Sequence, residues 1–407
     1  MAVLWLVLLV GLPTVFLGLF VWAVIQHFLT AEVPSAFEHP AKFRFMHCVV
    51  LYGMTLGTIL EKLRICRMPK FVQFLHDVLP IKKDPNLLVT DMHFGVVPVR
   101  LFQPKAASSN LRRGIVFYHG GGAMFGSLDS YHGMCSFLAR ETDSVLLSVG
   151  YRKLPDHSFP SIPKDCLHAT IHFLKALETF GVDSSRVVIC GESVGGWAVA
   201  IVTQALISMS SLPQIRAQVL ISPITQAINF NLPSHQQYRN IPFLTRDLMS
   251  TCICKYLVID PSWREAMLKG VCIPPDVWKK YRKWLSSDNI PQRFKSQDLQ
   301  PELVGPFSEA AYLETKHIWN TEVSPLLADD KTIAQLPEAF MVSFEYDVLR
   351  DDALLYKKRL EDQGVPVSWY HVEDGFHGCM ILFDKKPFSF SCSLKALNAV
   401  VSYIKGI

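Results

Sequence analysis

Residues 186–206 read RVVICGESVGGWAVAIVTQAL, and no other stretch constrains the fold as tightly. Arg186–Cys190 is a short β-branched run, the pattern of a strand buried on both faces. From Val194 onward the composition suits a helix, so strand must become helix within Gly191-Glu192-Ser193-Val194-Gly195. A turn that sharp strains the backbone at Ser193 and lifts its Oγ above the sheet. Positions two before and two after it pass so close to neighbouring chain that a residue without Cβ is needed, which Gly191 and Gly195 supply. Gly196 lets the helix approach the sheet more closely. With the helix beginning at Ser193, its first amides, Val194 among them, point where a negative oxygen would develop. The plain alternative is a tight turn without chemistry. Nucleotide sites fail on spacing: G-x-G-x-x-G needs glycine where Ser193 stands, and a P-loop needs Gly-Lys-Ser/Thr after its glycines.

The surrounding chain supports a sheet of the required kind. Strand-like runs are predicted at Leu88–Phe94, Val97–Phe102, Gly114–Tyr118, Val145–Val149, Val187–Cys190, Ala217–Ile221, Ala339–Phe344 and Val367–His371. Helical patterns lie between them near Tyr131–Glu141, Ile162–Phe180, Val194–Ile207, Ala353–Gln363 and Ser393–Ile404. Continuous apolar strands alternating with helices predict one α/β domain, a mostly parallel eight-stranded sheet covered on both faces. The first two strands, with no helix between them, should be antiparallel. From about 226 to 324 the alternation stops, and Pro and aromatic residues dominate with no strand-like run. A structureless loop of that length is implausible in a compact domain. It is expected to be a helical insertion within a catalytic domain of residues 86–407 that, with residues 30–85, forms a lid or cap, its composition suited to one wall of an apolar pocket. The plain alternative is a structural embellishment that forms no lid.

Three further segments complete a chemical reading. Phe117-Tyr118-His119-Gly120-Gly121-Gly122 follows a strand, and its glycines leave backbone N–H groups unobstructed. With the Val194 amide, Gly120, Gly121 and Gly122 would form an oxyanion hole, while His119 shapes the loop. Asp347 follows the strand Ala339–Phe344, and His377 follows Val367–His371 in a loop freed by Gly375 and Gly378. Ser193, Asp347, His377 is the chain order of a nucleophile, an acid and a base carried at strand ends. His377 would take the Ser193 proton, and Asp347 would fix the imidazole tautomer. His371 is the rival base, and Asp351, Asp352 and Asp374 are rival acids. The pair His168 and His172 has the i, i+4 spacing of a zinc helix, but Ala169 stands where H-E-x-x-H needs glutamate. Cys252-x-Cys254 has no zinc-knuckle spacing.

Residues 2–25 contain 20 members of the set Ala, Val, Ile, Leu, Met, Phe and Trp, and the first charged side chain is Glu32. At about 1.5 Å per residue such a helix covers a hydrocarbon core of roughly 30 Å. Trp5 and Trp22 fall near its ends, and Pro13 can kink it without forbidding it. The run is too long for a signal-peptide core and has no basic start, so an uncleaved transmembrane anchor is expected. Flanking charges leave its orientation open. Phe45–Leu60 is a shorter apolar patch, read as an amphipathic helix of the globular part. The ten cysteines are scattered without the density of a disulfide scaffold, and no N-x-Ser/Thr sequon occurs. Forty Lys+Arg against 36 Asp+Glu gives a net charge of +4, too slight and dispersed to suggest a nucleic-acid partner.

Taken together, His119–Gly122, Tyr151-Arg-Lys-Leu-Pro-Asp156, Gly191–Gly196, Asp347 and Asp374-Gly-Phe-His377-Gly resemble the hormone-sensitive-lipase branch of the α/β-hydrolases. With the apolar N-terminus, nearly the whole chain resembles the arylacetamide deacetylase-like proteins. The resemblance implies the α/β-hydrolase fold with a helical cap and a serine-dependent hydrolase of carboxylic esters, aryl amides or neutral lipids working through an acyl-enzyme. It implies no metal or organic cofactor. It also implies a single-pass type II protein of the endoplasmic reticulum with its catalytic domain in the lumen. Glu192, Val194, Trp197, Ala123 and Asp156 depart from the residues most usual in that branch. The competing readings are a membrane-tethered binding protein that keeps the fold with little turnover, and a triacylglycerol lipase.

Overall fold

The computed structural model describes residues 7–30, 33, 37–78, 80–296, 301, 303 and 305–407. Residues 1–6, including Trp5, and positions 31–32, 34–36, 79, 297–300, 302 and 304 lie outside that set.

Eight strands form one sheet: β1 (Leu87–Phe94), β2 (Val97–Pro104), β3 (Arg112–Tyr118), β4 (Ser144–Val149), β5 (Val182–Glu192), β6 (Ala217–Ile221), β7 (Glu338–Tyr346) and β8 (Val367–Phe376). Their order is β1-β2-β4-β3-β5-β6-β7-β8. β2 runs antiparallel to both β1 and β4, and every other pairing is parallel. All eight predicted runs are strands. The antiparallel character extends one pair further than expected, because β2 returns from its hairpin into the sheet beside β4.

Strand periodicity explains why both faces need cover. Along β3, Ile115 and Phe117 belong to one apolar core while Val116 and Tyr118 belong to the other. Each large apolar side chain so buried stabilises the fold by roughly 1.5–3 kcal/mol. The helices are α1 (Leu12–Thr30), α2 (Pro40–Lys62), α3 (Met68–Asp77), α4 (His132–Thr142), α5 (Ser161–Lys175), α6 (Val194–Leu206), α7 (Arg246–Leu257), α8 (Pro275–Leu285), α9 (Arg350–Glu361) and α10 (Ser391–Lys405), besides several shorter turns. Residues of α5, α6 and α9 fill one core, and those of α4 and α10 fill the other.

Between β6 and β7 the described residues contain helices and no strand. α7 is started by Thr245, whose hydroxyl accepts the Leu248 N–H at 3.0 Å, and it ends at Val258 with φ +58°. α3 packs against this insertion and the loop after β3, with Met68, Val72, Met124 and Cys252 in one small cluster. α1 belongs to a 21-residue apolar stretch, Leu9–Leu29, of mean hydropathy 2.0, long enough to cross a bilayer. α2 differs from the amphipathic helix predicted there. It buries Phe43, Met46, Cys48 and Gly57, yet its outer face is apolar as well, with Phe45, Val49, Leu56 and Ile59 exposed.

Candidate active site

The parallel strands end at one edge, and the predicted site residues sit just beyond those ends. Ser193 follows β5 and precedes α6 with φ +55° and ψ −120°, a strained backbone for a residue with a side chain. Its N–H donates to the Ile221 carbonyl of β6 at 2.9 Å, which holds the turn against the neighbouring strand. A Cβ on Gly195 would collide with the Tyr118 carbonyl of β3, and one on Gly191 with the Gly195 backbone. That close approach is why the turn needs glycine two residues either side of the serine.

Asp347 lies one residue past β7 and His377 one past β8. His377 Nε2 stands 3.0 Å from Ser193 Oγ, and its Nδ1 stands 3.1 and 3.0 Å from Asp347 Oδ1 and Oδ2. A carboxylate only accepts, so the proton belongs on Nδ1 and the Nε2 lone pair faces the serine hydroxyl. Asp347 is fully buried, and its Oδ1 also accepts the Leu349 N–H at 2.8 Å. Burial pushes the His377 pKa down, but the charge and hydrogen bond of Asp347, with a contribution from Glu192, outweigh it and leave the value raised.

The rivals are engaged elsewhere. His371 Nε2 meets Glu345 at 3.0 Å and its Nδ1 meets Ser343 Oγ at 2.9 Å. Asp351 pairs with Arg350 at 2.9 Å, Asp352 with His235 at 2.9 Å, and Asp374 with Lys395 at 2.7 Å. His172 stacks on Phe94 with ring centroids 4.0 Å apart, and His168 lies against Gly95. Among the described residues, Glu345, His371 and Glu373 form a group close enough to hold a metal ion. Glu345, however, already accepts from Tyr238 at 2.6 Å and from Arg350 at 2.9 Å. Burial works against its charge, but His371 and Tyr238 prevail and hold its pKa at about 2.

The Gly120–Gly122 loop follows β3 directly. Gly120 lies against Ser193 Cβ and the Tyr131 hydroxyl, and Gly121 takes φ +115°, which favours glycine. His119 is buried, its Nδ1–H donates to the Gly120 carbonyl at 2.8 Å, and its ring stacks on Tyr151 at 4.2 Å. Burial pushes its pKa down to about 3, so it braces the loop as a neutral ring. Val194, the first residue of α6, has its amide free of the strand ladder and beside Ser193.

Three contacts carry no signal in the sequence. The Ser222 hydroxyl, just past β6, donates to Asp347 Oδ2 and lies 3.2 Å from His377 Nδ1. The Tyr131 hydroxyl donates to Glu192 Oε2 at 2.8 Å. Trp197 donates from Nε1 to the Val323 carbonyl at 3.0 Å and meets Tyr256 edge-on. Each joins residues far apart in the chain, which spacing rules do not reach.

A pocket with about 610 Å³ of empty space, part of it open to solvent, begins at Ser193. Gly122, Trp197, Cys252, Tyr256, Val323 and Leu349 contribute to its walls, and no lining residue is charged. Much of the wall comes from α7. All ten cysteines are unpaired, and burial pushes the Cys252 thiol up to about 12, so it acts here as an apolar wall atom.

A family model described as an alpha/beta hydrolase fold matches residues 115–285 and 286–381. The chain is 67% identical to arylacetamide deacetylase-like 4 of Homo sapiens over 100% of both chains. It is 35% identical to arylacetamide deacetylase of Mus musculus, covering 87% of this chain and 91% of that one. Among solved structures it resembles EstE1, a thermophilic carboxylesterase from a metagenomic library, with TM-score 0.62, 22% identity, and coverage of 83% of this chain and 96% of that one.

Proposed function

The chain belongs to the α/β-hydrolase family, among its arylacetamide deacetylase-like members, and is a carboxylic ester hydrolase; from that premise we propose that Ser193, His377 and Asp347 are its catalytic triad. The observation that carries this reading is the pair of contacts on one imidazole, 3.0 Å from Nε2 to Ser193 Oγ and 3.0 Å from Nδ1 to Asp347.

His377 Nε2 takes the hydroxyl proton as Ser193 Oγ bonds to the ester carbonyl carbon. The carbonyl oxygen becomes an anion, held by the N–H groups of the Gly120–Gly122 loop and of Val194. Each such donor lowers the barrier by roughly 3 kcal/mol. Collapse breaks the bond to the alcohol oxygen, which leaves with the proton from His377. Water, deprotonated by the same nitrogen, then attacks the acyl-enzyme, and Ser193 recovers its proton as the acid departs. The uncharged wall selects neutral esters with an apolar group to bury, since a charged group would lose its hydration without a partner.

Residues 30–85 and 226–324 act as a two-part cap on the catalytic domain, and α1 anchors the protein in a membrane. A type II orientation in the endoplasmic reticulum, with the catalytic domain in the lumen, follows from the sequence resemblance and is tested by protease protection in sealed microsomes. A fluorophosphonate probe tests the chemistry. The wild-type protein should label and Ser193→Ala should not; a folded wild-type protein that resists labelling would instead be a tethered binding protein.

A further inference from the structure

Exposed large apolar side chains are unevenly spread over this chain. Among the described residues, nine lie between Phe45 and Val78, against eight in the whole of 87–407. Scattered exposure of single apolar groups is ordinary, but a concentration of this kind marks a covered surface. On α2 the exposed positions Phe45, Val49, Leu56 and Ile59 recur at helical spacing and form one stripe. On α3, Phe74 and Leu75 are exposed too, Leu75 lying against Gly53 of α2, and Leu63 and Ile65 are exposed in the turn between the two helices.

We infer, building on the membrane attachment by α1 proposed above, that the α2–α3 hairpin is a second membrane contact that lies in the bilayer interface. Two features single out lipid as the occupant. The stripe adjoins the span-length helix, with the Phe20 ring of α1 5.0 Å from Tyr52 of α2 and edge-on to it. The bend of the hairpin is basic as well, with exposed Lys62, Arg64, Arg67 and Lys70 against one exposed acid, Glu61, where an apolar surface meets headgroups. Of these, Arg67 and Lys70 share Asp156 at the surface. The inner face of the same hairpin packs Met68 and Val72 against Met124 and Cys252, and Cys252 lines the pocket. An apolar ester dissolved in the bilayer would therefore be one helix layer from Ser193, without crossing water.

The test uses the full chain in vesicles of equal parts phosphatidylcholine and phosphatidylserine, with a nitroxide on single cysteines. Cys66 is first replaced by serine; the other native cysteines are buried. Probes go on Ile59→Cys and Phe74→Cys, with Ile25→Cys reporting on α1 and Leu313→Cys on an exposed site of the insertion. The expected result is a several-fold higher ratio of oxygen to nickel-complex collisions at 59 and 74 than at 313. Water-like ratios at 59 and 74 with a lipid-like ratio at 25 overturn the inference and leave the anchor standing. Lipid-like ratios at 59 and 74 with a water-like ratio at 25 support it while the anchor reading fails. Shielding of 59 and 74 from both reagents means that protein covers the stripe, such as a second copy, and overturns it too.

Discussion

The Ser222 hydroxyl donates to Asp347 Oδ2, across 125 residues of sequence. The same turn after β6 donates the Ser222 N–H to Val342 at 2.8 Å and, through the Ile221 carbonyl, holds the Ser193 N–H at 2.9 Å. Serine and acid are thus referred to one short piece of backbone, at which Ser222 takes φ +45°. Ser222→Ala keeps that backbone and removes both the donor to Asp347 and the oxygen 3.2 Å from His377 Nδ1. The Ser222 hydroxyl also orients Asp347 against His377, and loosening that geometry should lower kcat by roughly tenfold to a hundredfold with KM little changed. Without the donor the carboxylate is more basic and holds the imidazolium more tightly, so the acid limb of the rate profile should move up. A limb that stays in place would mean Ser222 acts on stability alone.

In the proposed mechanism His377 must be neutral to accept the Ser193 proton. Its pKa is raised, because Asp347 outweighs the effect of burial, so activity should be lost as pH falls through a midpoint above the ordinary imidazole value of 6.5. Asp347→Asn removes the charge and turns the imidazole to the wrong tautomer, and kcat should fall by about ten-thousandfold. The measurement is ester hydrolysis against pH for both proteins, with circular dichroism to show that the variant folds.

The elements bearing the site were legible because each is written in a local run. All eight strands announce themselves as short apolar stretches, and Ser193 sits where one of them must turn into a helix. Asp347 and His377 followed from strand ends and chain order, and both now lie within hydrogen-bond distance of one another. The long-range partners were not legible. Nothing around Ser222 or Tyr131 indicates which carboxylate each will meet, since that depends on how the strands are ordered in the sheet. The exposure of Phe45, Val49, Leu56 and Ile59 on α2 was not legible for a related reason: helical periodicity reports which residues share a side, but not which side the rest of the fold covers.

Trp197 forms part of the pocket wall, held by its bond to the Val323 carbonyl and its edge-on contact with Tyr256. It is therefore expected to limit the length of the buried ester group. Trp197→Ala should raise kcat/KM for long-chain p-nitrophenyl esters relative to short-chain ones, at a stability cost of about 3–5 kcal/mol. Trp197→Phe should shift the same ratio by less. If long triacylglycerol chains are already turned over as fast as short esters by the wild-type protein, the tryptophan sets no such limit and the lipase reading gains.

Glu192 is buried beside the site, and burial raises its pKa although the Tyr131 hydroxyl works the other way. A carboxyl whose folded pKa exceeds its unfolded value binds its proton more tightly in the native state. Its contribution to stability is therefore complete below the ordinary glutamate value of 4.5 and is lost as pH rises through the raised one. Glu192→Gln keeps an acceptor for Tyr131 and never charges, so its stability relative to wild type should improve across that window and then level off. Glu192 also helps raise the His377 pKa, and the glutamine should move the acid limb of hydrolysis down. Tyr131→Phe should do the opposite to the fold, costing about 1–3 kcal/mol by leaving a buried carboxylate without its donor. Urea denaturation at several pH values, run beside the pH–rate profile, reads both effects; a Glu192→Gln curve parallel to wild type across the window would show that the carboxyl titrates alike in the folded and unfolded chain.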